Sequence, residues 1–521
     1  MTTIKKAPRS RWIQFSALVF GAFIAIEAMV FQAPALPSIA LYFDVPTHLA
    51  GFIVLSFYVM SASFYPITGR LADQYGRKKV LLIGLVIFSF SEFAAALSPT
   101  FSFLLLARAI QGIGVACIFP IVIAYIGVLF PSEERGTASG IFNSVQGIGS
   151  MSGAAIAGFL ISIYGWPIIY WVGGGLSVIG FFVILFFVDE SKGEAKAALD
   201  IPGIVLIFIA TGSLLSVTTL VQIFGLTSPF TLGAVLTGVT AAVLLWIVEN
   251  RIETPIFELG LLKNKLYGLV ALLYLLNVAA MQLYIYSMNF FLTLRPDGAV
   301  TETGLFFMVI YGAAVLGGII VGRLSDKVNN KKLLIITLLI PTIALIINTQ
   351  ISADTSFLKI AMISAFFGVG TAIPIFIKLA LTVVPPEKFG AGSGLLSFIR
   401  DFGTPLGSVT GIVLYSSFSE SGQTSSLLSQ AEEAGISSNL MGAVEKAGAS
   451  GGEVIDSALS TELLSLGIKF EDLMTVAAGE GATTAINSLS YVSVVFFIAI
   501  IIVAIFLPKK MGIVKSDKKA A

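Results

Sequence analysis

Cysteine and histidine are almost missing from this chain: its 521 residues hold one of each, Cys117 and His48. A lone cysteine in an apolar run excludes an intramolecular disulfide and a thiolate metal cluster, and a lone histidine argues against a histidine-rich metal centre. Charge is scarce too. Only 12% of residues are charged, and 31 basic against 30 acidic side chains leave no global field to attract nucleic acid. No Gly-x-x-x-x-Gly-Lys-Ser/Thr run occurs, which leaves an ATP-driven pump unsupported, and no covalent catalytic constellation is visible, so the chain does not read as an enzyme. The first apolar run is too long, and lacks the small-residue site, for a cleavable signal peptide; it reads as a retained helix.

What the sequence has in abundance is apolar surface: 56% of residues are hydrophobic and the mean hydropathy is +0.95. Apolar runs of about twenty residues recur along its length, each enough to cross a hydrocarbon core of about 30 Å as a helix. Runs such as Val494 to Leu507 do not alternate, which rejects a transmembrane barrel. The fold class expected is therefore an all-α polytopic membrane protein of about fourteen spans. They fall near 12–40, 49–71, 79–98, 101–130, 136–163, 166–188, 201–222, 229–249, 266–294, 304–324, 332–351, 356–384, 392–416 and 486–507.

Basic residues orient these spans. Lys5, Lys6, Arg9 and Arg11 at one terminus and Lys509, Lys510, Lys515, Lys518 and Lys519 at the other share a side if the count is even, and the rule that loops rich in Lys and Arg stay inside makes that side the cytoplasm. Arg70, Arg77, Lys78, Lys79, Arg135, Lys192, Lys196, Arg251, Lys263, Lys265, Arg323, Lys327, Lys331 and Lys332 fall in loops on the same side. The alternate loops around Val45 to Leu49, Leu97 to Phe101 and Phe224 to Phe230 carry no Lys or Arg. The expected location is a prokaryotic cytoplasmic (inner) membrane. One outer loop, 417–485, is long and acidic, with only Lys446 and Lys469 to offset its carboxylates. Apolar residues at helical spacing in it, Leu440-Met441-Val444 and Leu459-Leu463-Leu464-Ile468, predict short amphipathic helices at the outer surface, forming an extracellular cap or else a gate or partner site.

The chain repeats itself. Gly69-Arg70-Leu71-Ala72-Asp73-Gln74-Tyr75-Gly76-Arg77-Lys78-Lys79 is echoed by Gly322-Arg323-Leu324-Ser325-Asp326-Lys327-Val328-Asn329-Asn330-Lys331-Lys332. Pro131-Ser132-Glu133-Glu134-Arg135-Gly136 is echoed, at nearly the same offset, by Pro385-Pro386-Glu387-Lys388-Phe389-Gly390. Two echoes at one offset imply duplicated halves, an architecture suited to a substrate site between halves that rock against each other.

With these motifs and the span 4 run Arg108-Ala109-Ile110-Gln111-Gly112-Ile113-Gly114, the chain resembles the major facilitator superfamily. Asp200-Ile201-Pro202-Gly203, and the stretch from Trp246 through Glu249, Arg251 and Thr254 to Glu258 and Lys265, resemble its fourteen-span drug:proton antiporter branch. The resemblance implies two six-helix halves, 1–188 and 266–521, joined by a linker helix pair in 189–265.

Glu27, near the middle of span 1, is the most informative candidate, because a carboxylate at that depth costs several kcal/mol unless protonated or paired. It is a candidate for carrying a proton or pairing with a cationic substrate; the structural alternative is a hydrogen bond to a neighbouring helix. The family pattern places an Asp at Ala28 instead, about 100° round the helix. Arg400 and Asp401 in span 13 form the second candidate, against a fixed ion pair; Arg400 resembles a residue of the antiporter branch, where Asp401 replaces a usual Gln. Glu92 in span 3 and Lys378 in span 12 are weaker, the latter open to simple snorkelling.

Arg108 matches the family arginine implicated in proton coupling, against a packing role through Gln111. Gly69, Asp73, Gly76 and Arg77 match the loop signature, which implies a charged latch made in one conformational state and broken in the other. The second copy keeps Asp326 but has Asn329 and Asn330 where the first has Gly76 and Arg77, so its latch is expected to be degenerate. In span 5 the antiporter glycines survive as Gly149, Gly153 and Gly158, giving close helix packing, while Ala154 and Ala157 replace a proline and a glycine. Gln32, Asn143, Gln146, Gln282, Tyr284, Tyr286 and Asn289 are candidates for lining a cavity.

The function expected is a proton-coupled antiporter exporting lipophilic or amphipathic small molecules, with cationic ones a candidate class, by alternating access. The expected partners are protons, the substrate and membrane lipids, with the proton gradient rather than a cofactor as energy source, no nucleic acid, and a monomeric protein. The alternatives are a lipid or metabolite exporter or facilitator, and a non-transporting sensor or scaffold using the acidic outer loop.

Overall fold

The computed structural model describes residues 9–45, 47–193, 200–252, 259–295, 300–449 and 455–508. The terminal lysine clusters, Lys196 and the Thr254 to Glu258 stretch lie outside the described residues. Described residues form helices and no strands: α1 (Arg9–Val30), α2 (Gln32–Tyr42), α3 (Thr47–Tyr75), α4 (Arg77–Ala96), α5 (Phe101–Ala116), α6 (Phe119–Leu129), α7 (Arg135–Tyr164), α8 (Pro167–Phe187), α9 (Ile201–Phe224) and α10 (Pro229–Glu249). The short α11 (Leu259–Lys263) precedes α12 (Lys265–Leu294), α13 (Val300–Lys327), α14 (Asn330–Asn348), α15 (Phe357–Val369), α16 (Ile373–Val383), α17 (Phe389–Glu433), α18 (Met441–Ala449), α19 (Ser457–Leu466) and α20 (Phe470–Ile505).

Twelve spans among the described residues are long and apolar enough to cross a membrane, two of them formed by α5 with α6 and by α15 with α16. The other two expected spans correspond to α1 with α2, and to the first part of α17. Three spans are divided beside a proline, which removes a backbone donor. Pro34 has no N–H to offer the carbonyl of Val30, and α1 ends there. Pro120 and Pro374 divide α5 from α6 and α15 from α16, and in the first case the freed Ala116 carbonyl accepts instead from the Thr68 hydroxyl at 2.5 Å.

Two bundles face each other through two seams, α3 against α17 and α7 against α13. Glycine sets both. A Cβ on Gly69 would meet the Gly390 carbonyl oxygen at 2.3 Å, and one on Gly140 the Gly318 carbonyl oxygen at 2.3 Å, so the backbones touch. About four to five turns further along these helices the α7–α13 seam has opened: at Gly158 and Gly304 an added Cβ would meet nothing within 4 Å. Gly158 therefore makes none of the expected span 5 packing, because α7 has already left α13. Gly149 and Gly153 do pack, against Ile26 and against Val30 and Glu27 of α1. Helix α9 packs mainly on α3 and also touches α17, with the Ser63 and Thr211 hydroxyls hydrogen-bonded between α3 and α9, and α10 packs on α9.

The expected outer loop is a correction. Span 13 does not stop near 416: α17 runs 45 residues to Glu433, about 67 Å, and α20 begins at Phe470 rather than 486. The two helices continue beyond a membrane's thickness in close contact, with Gly422 against Thr484 and Gly481 against the Ser419 carbonyl. Helices α18 and α19 form where amphipathic spacing predicts them, but their apolar faces turn onto these extensions. Leu427, Ala431, Val444, Ala447, Leu459, Leu463 and Phe470 make a separate hydrophobic core. Leu459 is fully buried there. Leu459→Ala is expected to cost about 2–5 kcal/mol, seen by hydrogen exchange as loss of protection in α18 and α19 with the spanning helices unchanged.

Candidate functional site

Between the bundles lies a cavity of about 250 Å³. Its walls are mostly apolar, with Ile26, Met29, Phe119, Val278 and Ile310 among them, and its polar groups are few: Tyr58, Asn143, Gln146, Gln282, Thr371, Arg400 and Asp401. Such a surface suits an amphipathic ligand. The helix breaks place part of it. Phe119 and Ile373, each just before its proline, open α6 and α16 and face the cavity from opposite bundles. Pro120 and Pro374 stand at the same offset as Gly136 and Gly390, a third echo of the repeat, carried by the spans rather than the loops.

Asn143, Gln146 and Gln282 line the cavity as expected; Gln32, Tyr286 and Asn289 do not. Gln32 lies beyond the α1–α2 break, where its side-chain oxygen accepts a 2.9 Å hydrogen bond from Tyr170. Asn289 continues the stripe of Val278, Gln282 and Ile285 one turn beyond the cavity. Tyr286 is adjacent to that stripe, near Tyr58 and Tyr311. Tyr284 points the other way, within 3.2 Å of the Ser364 hydroxyl in the second bundle's core.

The Arg400–Asp401 pair is the charge of the cavity. Arg400 Nε donates to Asp401 Oδ1 at 2.8 Å and Nη1 donates to Gln146 Oε1 at 3.1 Å across the bundle interface, while the guanidinium sits 4.8 Å from the Phe119 ring centroid. Asp401 Oδ2 is buried with no hydrogen bond; the Tyr65 hydroxyl faces the carboxylate without a bond of normal geometry. Glu27 is set behind the cavity wall. Ser152 donates to its Oε1 at 2.8 Å, and its Oε2 is buried without a partner against Gly153. The hydrogen bond to a neighbouring helix is thus present, and it satisfies only half the carboxylate.

Glu92 and Arg108 belong to one buried network apart from the cavity: Arg108 donates to Gln111, Gln111 donates to Glu92, and the Arg108 guanidinium lies 4.6 Å over the Phe57 ring. Glu92 and Arg108 stand equally far from Thr100, the N-cap of α5, so the antiparallel α4 and α5 bring them to one depth. That symmetry about the turn is the sequence signal for their meeting.

At one end of the molecule both loop copies cross between bundles. Asp73 accepts from the backbone N–H of Gly390 at 3.0 Å and of Ala391 at 2.9 Å, occupying the start of α17, and pairs with Arg77 at 2.7 Å. Arg77 also donates to the Ser191 hydroxyl and the Pro386 carbonyl. Gly76, at φ 113°, is in a region that disfavours side chains, and a Cβ there would strike Glu190, whose carboxylate accepts from the N–H groups of Lys78 and Lys79.

The second copy is not degenerate, which corrects the expectation. Asp326 accepts from the N–H of Gly136 at 2.9 Å, and from the N–H and hydroxyl of Thr137 at 2.7 and 2.6 Å, at the start of α7. Lys378 does not snorkel: it is 6% exposed, donates to the Ser325 carbonyl, and pairs with Asp326 at 2.9 Å. Each copy of the first repeated motif therefore docks on the opposite copy of the second. A side chain at Gly69 must push α3 from α17: for Gly69→Val, a loss of about 2 kcal/mol at the seam corresponds to roughly thirtyfold more opening. The check is the alkylation rate of a cysteine at the buried Ser393 in a Cys117→Ala background.

A model of the Major Facilitator Superfamily matches residues 18–408. The chain is 26% identical over 366 residues to multidrug resistance protein 3 of Bacillus subtilis, covering 68% of this chain and 70% of that one. It is 27% identical over 413 residues to multidrug resistance protein Stp of Mycobacterium tuberculosis, covering 78% and 76%. The human organic anion transporter MFSD10 superposes with a TM-score of 0.58 at 14% identity, covering 94% of this chain and 100% of that one, a likeness of fold. With the facing bundles, the crossed loop motifs and the central cavity, these matches show that the chain belongs to the Major Facilitator Superfamily, a family of membrane transporters and not of enzymes.

Proposed function

We propose that this protein is a secondary active exporter of the fourteen-span branch, exchanging protons for lipophilic or amphipathic small molecules, cations among them, by alternating access. The observation that carries this reading is the largely apolar cavity with its buried Arg400–Asp401 pair. A carboxylate there can hold a proton or balance a cationic substrate, and the two occupations exclude each other, which is the requirement for exchange. Glu27, half satisfied behind the same wall, is the second proton candidate. Relatives named as multidrug resistance proteins support the substrate class.

The loop clusters of Lys and Arg support a latch end facing the cytoplasm, with both termini on that side, in a protein of the prokaryotic cytoplasmic membrane. Both seams closed there, with the α7–α13 seam open at Gly158 and Gly304, then correspond to an outward-facing state. On this reading 1–188 and 266–521 are the moving halves, 189–265 carries the linker pair, the protein works as a monomer in lipid, and the proton gradient supplies the drive.

The test is proton flux into liposomes holding the purified protein and a pH-sensitive dye, on adding lipophilic cations, neutral drugs or lipids. A compound is expected to dissipate an imposed pH gradient through the wild type and not through Asp401→Asn or, failing that, Glu27→Gln. Protein-dependent movement of a compound with no proton flux would sink the antiport reading and leave a facilitator or lipid translocator.

A further inference from the structure

We propose that Lys378 is the positioning cation of a second latch between the bundles, supplied by α16 in place of the arginine that the second loop copy lacks. In the first latch the aspartate and its cation are neighbours in one motif, Asp73 and Arg77 standing four residues apart. The matching position in the second copy is Asn330, which carries no charge. Asp326 nevertheless makes the same cross-bundle bonds as Asp73, to two backbone N–H groups at the start of the opposing helix, and adds the Thr137 hydroxyl. A carboxylate that is 9% exposed needs a compensating cation, and Lys378 provides it from a different helix.

The site has the room this substitution implies. Asp326, Asn330 and Lys378 line one cavity of about 290 Å³ at the latch end, and the Asn330 side-chain oxygen there is buried without a hydrogen bond. The location also has a mechanical consequence. Ile373 opens α16 at the wall of the central cavity and Lys378 lies on the same short helix, so one rigid element connects the transport cavity to the second latch. The first latch has no such connection through its cation, since Arg77 sits at the start of α4. The two latches are alike in geometry but unlike in what moves them: closure of the α7–α13 seam depends on where α16 stands.

This inference rests on alternating access, and its test reads the seam rather than transport. Spin labels at Glu133 and Lys327, in a Cys117→Ala background, report the distance across the latch end of the α7–α13 seam. Lys378→Met is expected to lower the ratio of short to long distances by about tenfold or more, because it leaves the Asp326 carboxylate buried without its cation when the seam is closed. Lys378→Arg is expected to keep the ratio. Placing the cation where the first copy has it, Asn330→Arg together with Lys378→Met, is expected to restore closure, which a lysine that merely fills space would not allow. If Lys378→Met does not fold, a folded and closed double variant supports the proposal. An unchanged ratio in Lys378→Met, or a double variant that stays open or unfolded, overturns it. A protein that exchanges no protons yet shows these distance changes keeps its second latch and loses only the antiport reading.

Discussion

Two carboxylates that accept hydrogen bonds from the first N–H groups of helices in the opposite bundle hold the arrangement together. The starts of α7 and α17 each present donors with no partner inside the helix, and Asp326 and Asp73 supply the acceptors from across the interface. Carboxylates so placed must be dehydrated, which requires a cation at each, and the backbones must approach closely, which requires glycine at 69, 140, 318, 322 and 390. Closed at one end by these contacts and parted at the other, the bundles leave the cavity between them.

The same economy governs the helices that bound the cavity. Breaking α5 from α6 and α15 from α16 at proline frees carbonyls, which a protein in lipid must satisfy internally. Thr68 does this for Ala116, tying α3 to the break. The breaks bring Phe119 and Ile373 to the cavity wall, and α6 and α16 then run on to the latch end. Cavity and latch are in this way two ends of the same short helices rather than separate sites.

Outside the membrane-crossing part the molecule spends its apolar residues differently. The extensions of α17 and α20 need partners for Leu427, Phe470 and Leu473 once they leave lipid, and α18 and α19 supply them. Because α17 carries the latch contacts at its start, Arg400 and Asp401 in its middle and this cap at its far end, the three regions share one helix.

Much of this was legible in the sequence, and for definite reasons. Apolar runs in a chain with so few charges dictate spanning helices, since the cost of an unsatisfied backbone in lipid leaves no other choice; the two echoed motifs announce two equivalent bundles; and the depth of Glu27, Asp401 and Arg108 marks them as buried charges. Tertiary structure decided what they meet on other helices: Ser152 for Glu27, Gln146 for the Arg400 partner of Asp401, and Glu92 through Gln111 for Arg108. Lys378 is a weak candidate open to snorkelling until α16 is seen beside Asp326, and Glu92 is a weak candidate without a partner until the turn at Thr100 sets it level with Arg108. Gly158 reads as packing until α7 has left α13. Spacing along a chain fixes which face of a helix a residue occupies and which neighbours on its own helix it can reach, but a partner on another helix is set by how the helices pack and the bundles close.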